Sequence, residues 1–186
     1  ISAVTDPAES GLVADNAAPG GNVTGASDLT PVADQISLLK QLIPDAKTVG
    51  VLYCSAESNS AIQAQMAKEA CEANGLEAVD FTVSSTNEIQ TVVESMVGKV
   101  DAIYAPTDNT IANGMATVAM IANDNGLPVI CGESGMVESG GLATYGIDYY
   151  QLGYMAGEMA VDILVNGTNP GDIPVGYLSA DKCEFA

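Results

Sequence analysis

Two short polar runs, Ser58-Asn59-Ser60 and Thr107-Asp108-Asn109-Thr110, carry the groups needed to hold a small charged molecule, and Glu133-Ser134 stands in the same setting. Each follows a short apolar run ("VLYC", "IYAP" or "VICG") and opens a segment with helical patterning. Ser, Thr, Asn and Asp are preferred helix caps, so any one of these junctions alone reads as a helix start. Three in succession supply more polar groups than caps require. Free backbone N–H groups at the Ser58–Ser60 start suit a carboxylate, since unpaired N–H groups and the helix dipole both favour an anion there. Asp108 and Glu133 suit an ammonium. A site with both kinds of group fits a zwitterionic amino acid.

Other chemistries find less support. The chain has no His, so neither a Ser-His nor a Cys-His nucleophile pair can form within it. No G-x-G-x-x-G follows the first strand and no G-x-x-x-x-G-K-[ST] is present, which removes the main support for dinucleotide and phosphate cradles. Carboxylates are plentiful, yet their placement singles out no glycosidase pair. Cys54, Cys71, Cys131 and Cys183 are widely spaced and lack a C-x-x-C, so they read as buried small apolar residues and not as a zinc set. In an oxidising compartment a Cys131–Cys183 disulfide is a further option. No metal or cofactor is called for.

Composition narrows the partners. Twenty-four acids stand against five lysines, with no arginine, for a net charge of −19. Nucleic-acid binding rests on Lys and Arg at phosphates, so this balance argues against it. Anionic membrane surfaces and phosphate-rich substrates are disfavoured for the same reason. No apolar run approaches the ~20 residues of a membrane span. The chain opens on "ISAVTDPAES" with no initiator Met, as if in mid-strand, and it reads as a fragment.

Regular alternation supplies the scaffold. "APGGNVTGASD" reads as a crossover or linker. Thr30 is expected to cap a helix with Pro31 at its first position and Ile36, Leu39 and Ile43 on one face. "KTVGVLYC", "LEAVDFTV", "DAIYAP", "LPVICGE" and "GGLATYGI" read as strands. Between them lie a helix with Ile62, Met66 and Ala70 on one face, ended by Gly75, then "STNEIQTVVESMVG", and a helix over 109–125 closed by Gly126. A long helix, "YYQLGYMAGEMAVDILVNG", stops at Gly167. Such alternation predicts a doubly wound parallel α/β sheet with right-handed crossovers. Parallel strands would bring the three polar loops to one edge, where ligands bind in open sheets.

At these residues the sequence resembles a known family. "TDP", "GLVA…PGGNVTG", "VGVLY…ESNS", "VDAIYAPTDNTI", "PVICGESG" and "GGLATYGIDYYQLGYMAGEMAVDILVNGTNP…IPV" together resemble a substrate-binding protein family of ABC importers. Its members include proteins that bind tryptophan and other aromatic amino acids. The resemblance covers essentially the whole chain and implies a type I periplasmic-binding-protein fold, with two α/β domains joined by three crossovers and closing on ligand like a clamp. By resemblance, residues 1–20 are part of the first domain, 21–138 the second, 139–170 a return to the first, and 171–186 a truncated crossover back. Much of the first domain would then be missing from this chain.

The resemblance also implies ligand contacts. Thr5 and Asp6 would lie on the first-domain wall, with Tyr145 and Asp148 where the chain returns to it. Ser58, Asn59 and Ser60 would hold the carboxylate, and Thr107, Asp108, Asn109, Thr110, Glu133 and Ser134 would complete the polar wall. Cys54-Ser55 stands where many relatives have Asn-Pro, and Glu133 where some have Asp; both departures bear on ligand identity. Tyr53 and Tyr104 read as core at strand ends, and Tyr149, Tyr150 and Tyr154 as packing for a helix. The implied function is capture of an amino-acid-like solute outside a bacterial cell, by a periplasmic protein or surface lipoprotein, monomeric when intact, that delivers it to a membrane permease without catalysis. Two rivals differ in class. One is a cofactor-independent amino-acid racemase using Cys54 and Cys131 as opposed acid and base. The other is the ligand-sensing domain of a transcriptional regulator or receptor, where the same architecture recurs.

Overall fold

The computed structural model describes residues 1–179 and 182–186. Strands β1 (Thr48–Cys54), β2 (Glu77–Val83), β3 (Ala102–Ala105) and β4 (Val129–Cys131) form a four-stranded sheet in the order β2-β1-β3-β4. Every pairing in it is parallel. The intervening helices are α1 (Val32–Leu42), α2 (Ser58–Ala73), α3 (Ile89–Met96), α4 (Asn109–Asn113), α5 (Met115–Asp124) and α6 (Ser134–Glu138). After them come β5 (Tyr145–Ile147), α7 (Tyr149–Leu164) and β6 (Cys183–Phe185), with β5 and β6 paired in a second, two-stranded sheet. The expected α/β parallel sheet is the architecture found.

Strand periodicity explains the two layers. Successive side chains leave opposite faces of a strand. Val49, Val51, Ala102, Tyr104 and Ile130 accordingly point to one face, where Val32, Ile36 and Leu39 of α1 and Ala64, Ala67 and Cys71 of α2 cover them. Leu52, Cys54, Ile103, Ala105, Val129 and Cys131 point to the other, under Val93 and Met96 of α3, Val118 and Ala122 of α5 and Met136 of α6. β3 and β4 are buried throughout, as expected of parallel strands covered on both sides.

Several local expectations are corrected. The helix expected over 109–125 is two helices that meet at Gly114, a residue with poor intrinsic helix propensity. Pro31 occupies the N-cap of α1 and not its first turn, and no side chain caps that helix. Thr30 instead donates its hydroxyl to Gln63 Oε1 at 3.5 Å. The fully buried face of α2 runs through Gln63, Ala64, Ala67, Ala70 and Cys71, with Met66 partly buried against the same core and Ile62 outside it. Small side chains on that line let the helix lie close to the sheet. "GGLATYGI" contributes a strand only over Tyr145–Ile147, preceded by an isolated bridge between Ile130 and Ala143. Cys131 is a free buried thiol, so it forms no disulfide with Cys183.

The chain divides into two compact units, residues 1–29 with 147–184 and residues 30–146 with 185–186, and therefore passes between them three times. These divisions fall later than the expected 20/21 and 138/139. Residues 21–29 belong with unit 1 because Ala26 bridges both Ser2 and Gly176, and Thr24 donates its hydroxyl to the Ile173 carbonyl. Residues 139–146 belong with unit 2, where Leu142 N–H donates to Val129 O and Cys131 N–H to Ala143 O.

Unit 2 contains the four-stranded sheet and both of its helical layers. Unit 1 has a small core of Ala26, Ile147 and Leu152, against which Met155, Ala156 and Leu178 pack. Its helix α7 is apolar on more than this face. Tyr150, Tyr154, Val161, Leu164 and Val165 are all more than half exposed, so Tyr150 and Tyr154 do not serve as helix packing here. Tyr104, by contrast, is fully buried as expected.

Candidate functional site

Parallel strands place the starts of α2, α4 and α6 together at the carboxyl edge of the unit 2 sheet. Their loops are tied to one another by hydrogen bonds. Asp108 is the N-cap of α4, its Oδ1 accepting from Ile111 N–H at 2.8 Å. Its Oδ2 reaches back to β1 and accepts from Cys54 N–H at 2.6 Å. Asp108 is 2% exposed. Each of its oxygens thus already accepts from a backbone donor. Glu133 caps α6, with Oε2 accepting from Gly135 N–H at 2.6 Å. No hydrogen bond among the described residues engages Oε1 of Glu133, so this carboxylate has an oxygen to offer.

The start of α2 differs. Its N-cap is Glu57, and no side chain caps its first N–H groups. Among the helices opened by the polar loops after β1, β3 and β4, α2 leaves its orphan donors without a side-chain acceptor while α4 and α6 are capped. Ser58 is exposed and Asn59 half-buried, while Ser60 is fully buried, its hydroxyl accepting from Asn59 Nδ2 at 3.3 Å.

Glu57 was not singled out by the sequence. Its carboxylate crosses to the loop after β3, where Oε2 accepts from Asn109 N–H at 3.2 Å and Asn109 Nδ2 at 2.9 Å. Oε1 accepts from Thr110 N–H at 3.0 Å and from the Thr110 hydroxyl at 2.7 Å. Partial burial opposes ionisation, but the Thr110 hydroxyl, the Asn109 amide and the two backbone donors outweigh it and hold this carboxyl below its ordinary range.

Two buried glutamines complete the framework. Gln63 accepts from Thr107 N–H at 3.2 Å and donates to Thr107 O at 3.0 Å. Gln35 accepts from the Tyr104 hydroxyl at 2.6 Å and donates to the carbonyls of Gly132 and Tyr145, both at 2.9 Å. Gly132 is where the β3 and β4 loops touch: a Cβ there would lie 2.6 Å from the Pro106 carbonyl carbon. The hydroxyl of Thr107 is buried with no partner among the described residues.

The remaining expected site residues are placed as follows. Ser134 is the first residue of α6. Tyr145 belongs to unit 2 and stacks on Phe185 with ring centroids 4.7 Å apart. Thr5, Asp6 and Asp148 belong to unit 1. Thr5 donates to Asp28 Oδ1 at 3.0 Å, and burial raises the Asp28 carboxyl despite that hydrogen bond. Asp6 folds back onto its own loop, its Oδ1 accepting from Ala8 N–H, Glu9 N–H and Asn16 Nδ2. Asp148 caps α7 through Tyr150 and Gln151 N–H. The sequence signal that could have found Gln35 and Gln63 is a polar residue on the buried line of a helix.

A parallel sheet layered on both faces, with polar helix-starting loops along its carboxyl edge and three chain passages between two units, defines the type I periplasmic-binding-protein class. Solved structures of this fold at 13% and 14% identity, a LacI-family regulator and a sugar-binding transport protein, share the architecture alone. The family described as ABC transporter substrate binding protein matches residues 1–183, and the chain belongs to it. It is 45% identical over 178 residues to the tyrosine-binding protein of Clostridioides difficile, covering 96% of this chain and 51% of that one. It is 44% identical, with a TM-score of 0.92, to an ABC domain from Streptococcus pneumonia solved in complex with L-Trp, covering 99% of this chain and 61% of that one. It is 45% identical, with a TM-score of 0.77, to the ligand-free, open structure of a Clostridium difficile substrate-binding protein with adhesive properties, covering 98% and 61%. The chain thus spans about half the length of the curated relatives it matches.

Proposed function

We propose that the full-length protein captures an aromatic amino acid outside the cell and hands it to an ABC permease, with the two units corresponding to its two domains. The observation that carries this reading is the contrast among the helix starts at the sheet edge. α4 and α6 satisfy their first N–H groups with Asp108 and Glu133, whereas α2 offers its own to an external acceptor. A ligand carboxylate is such an acceptor, and with no Arg in the chain a helix start is the natural anion site. Oε1 of Glu133 takes the ammonium, displacing Asp108 from that part. Asn59, Thr107, Asn109, Thr110 and Ser134 frame the pocket, and the unpartnered Thr107 hydroxyl has a hydrogen bond to give or receive. The aromatic side chain is inferred from the two relatives named for L-Trp and tyrosine. By family resemblance alone, Thr5, Asp6, Tyr145 and Asp148 are proposed as further ligand contacts of the full-length protein.

Catalysis by cysteine fits poorly. Cys131 is fully buried, its thiol donating to the Val129 carbonyl on its own strand. Burial, with the neighbouring Glu133 charge, pushes that thiol up to about 12, far from what an acid–base pair needs. Titration calorimetry of the full-length protein with L-tyrosine and L-tryptophan tests the binding reading. Saturable heat is expected for at least one, and Glu133→Gln should weaken it by about 2–4 kcal/mol, the cost of a lost charged hydrogen bond in a closed site. Absence of binding by any of the common amino acids would overturn the assignment.

A further inference from the structure

We infer that Glu57 is a positioning residue, one that clamps the α2 and α4 loops together while leaving the start of α2 open to the ligand anion. The inference rests on the binding reading above but on separate atoms.

Glu57 stands at the N-cap of α2 with extended backbone, φ −104° and ψ 118°, where a Ser or Asp side chain would turn back onto its own helix. Its longer side chain does not turn back. It spans instead to Asn109 and Thr110, accepting from two backbone N–H groups, one amide and one hydroxyl on the partner loop. Asn59 Nδ2, on its own helix, approaches the same Oε2 at 3.4 Å and the Thr107 carbonyl at 3.3 Å. All these partners are donors, so only an ionised carboxylate satisfies them together. The clamp has two effects. It fixes the distance between the loop that presents the orphan N–H groups and the loop that carries Thr107 to Thr110. It also spends the Glu57 carboxylate on α4, so that this group does not compete for the start of α2. Gln63, one turn further along α2, ties down Thr107 but reaches neither Asn109 nor Thr110. Its bonds therefore do not replace those of Glu57.

Glu57→Gln is the discriminating change, because it keeps the shape and turns one oxygen into a donor facing donors. Two measurements on the full-length protein read it. In the absence of ligand, amide hydrogen exchange should accelerate tenfold or more both at Asn109 and Thr110 and at Ala61, whose N–H donates to the Glu57 carbonyl at 3.2 Å. In calorimetry with L-tyrosine and L-tryptophan, affinity should fall tenfold or more. The loss should fall on the ligand anion, so affinity for L-tyrosinamide and L-tryptophanamide, which lack a carboxylate, should change less than twofold. A purely structural residue would weaken both kinds of ligand alike. Exchange at Asn109, Thr110 and Ala61 unchanged in the variant, or affinity within twofold of the parent, would overturn the inference. Should the parent protein bind no amino acid, the solute-binding reading fails by itself, and the exchange experiment still decides whether Glu57 couples the loops.

Discussion

Three carboxylates at one sheet edge have three different occupations, and composition does not tell them apart. Asp108 is a structural bridge: one oxygen caps α4 and the other receives the last N–H of β1. Asp108→Asn would place an amide donor against one of those two N–H groups. Leaving a buried donor unsatisfied costs about 1–3 kcal/mol, and that loss should appear as a lower midpoint in urea unfolding. Unchanged stability would mean that the Asp108 bridge is dispensable. Glu133 keeps an oxygen available beyond its cap, and Glu57 serves its neighbour's helix before its own. The sequence pattern pointed to Asp108 and Glu133 together for the ammonium. Asp108 is buried with a backbone N–H on each oxygen, which is why the ammonium is proposed for Glu133.

At the level of elements, the edge is held by side chains from helices that do not belong to it. Gln35 projects from the first turn of α1 and binds β3 through the Tyr104 hydroxyl, the β4 loop through Gly132 and β5 through Tyr145. It is fully buried. Gln35→Leu keeps the volume roughly constant yet strips partners from one hydroxyl and two carbonyls. We expect a loss of at least about 2 kcal/mol, from the desolvation cost of unsatisfied groups, measured by chemical denaturation. A variant as stable as the parent would show that these groups find other partners. The helix periodicity of α1 was legible from Ile36 and Leu39, but Gln35 reads as a solvent-facing residue until β3 and β4 are seen beneath it. Likewise the fully buried α2 face follows its small residues and not its largest ones, because close approach to the sheet selects Ala over Ile and Met.

On the scale of the whole molecule, charge is the dominant long-range term. A net charge of −19 meets one ion pair among the described residues, Lys68 with Asp80 at 3.0 Å, on the surface. A pair so exposed contributes little, and the excess of like charge opposes compactness. Raising NaCl from about 0.02 M to about 0.5 M shortens the screening length several-fold. The thermal midpoint should therefore rise by several degrees, read by circular dichroism. A midpoint that falls or stays level would mean that specific ion pairs outweigh the general repulsion.

Alternating apolar runs and helical segments sufficed to determine the parallel sheet, since strand and helix periods are local properties of the chain. The polar loops after "VLYC", "IYAP" and "VICG" were equally legible, because parallel topology sends every strand's carboxyl end to the same edge. Which acid is spent on backbone and which is left for a ligand was a tertiary decision. Glu57 and Asn109 are far apart in sequence, and only the pairing of β1 with β3 brings a carboxylate at one helix start within reach of the N–H groups at another.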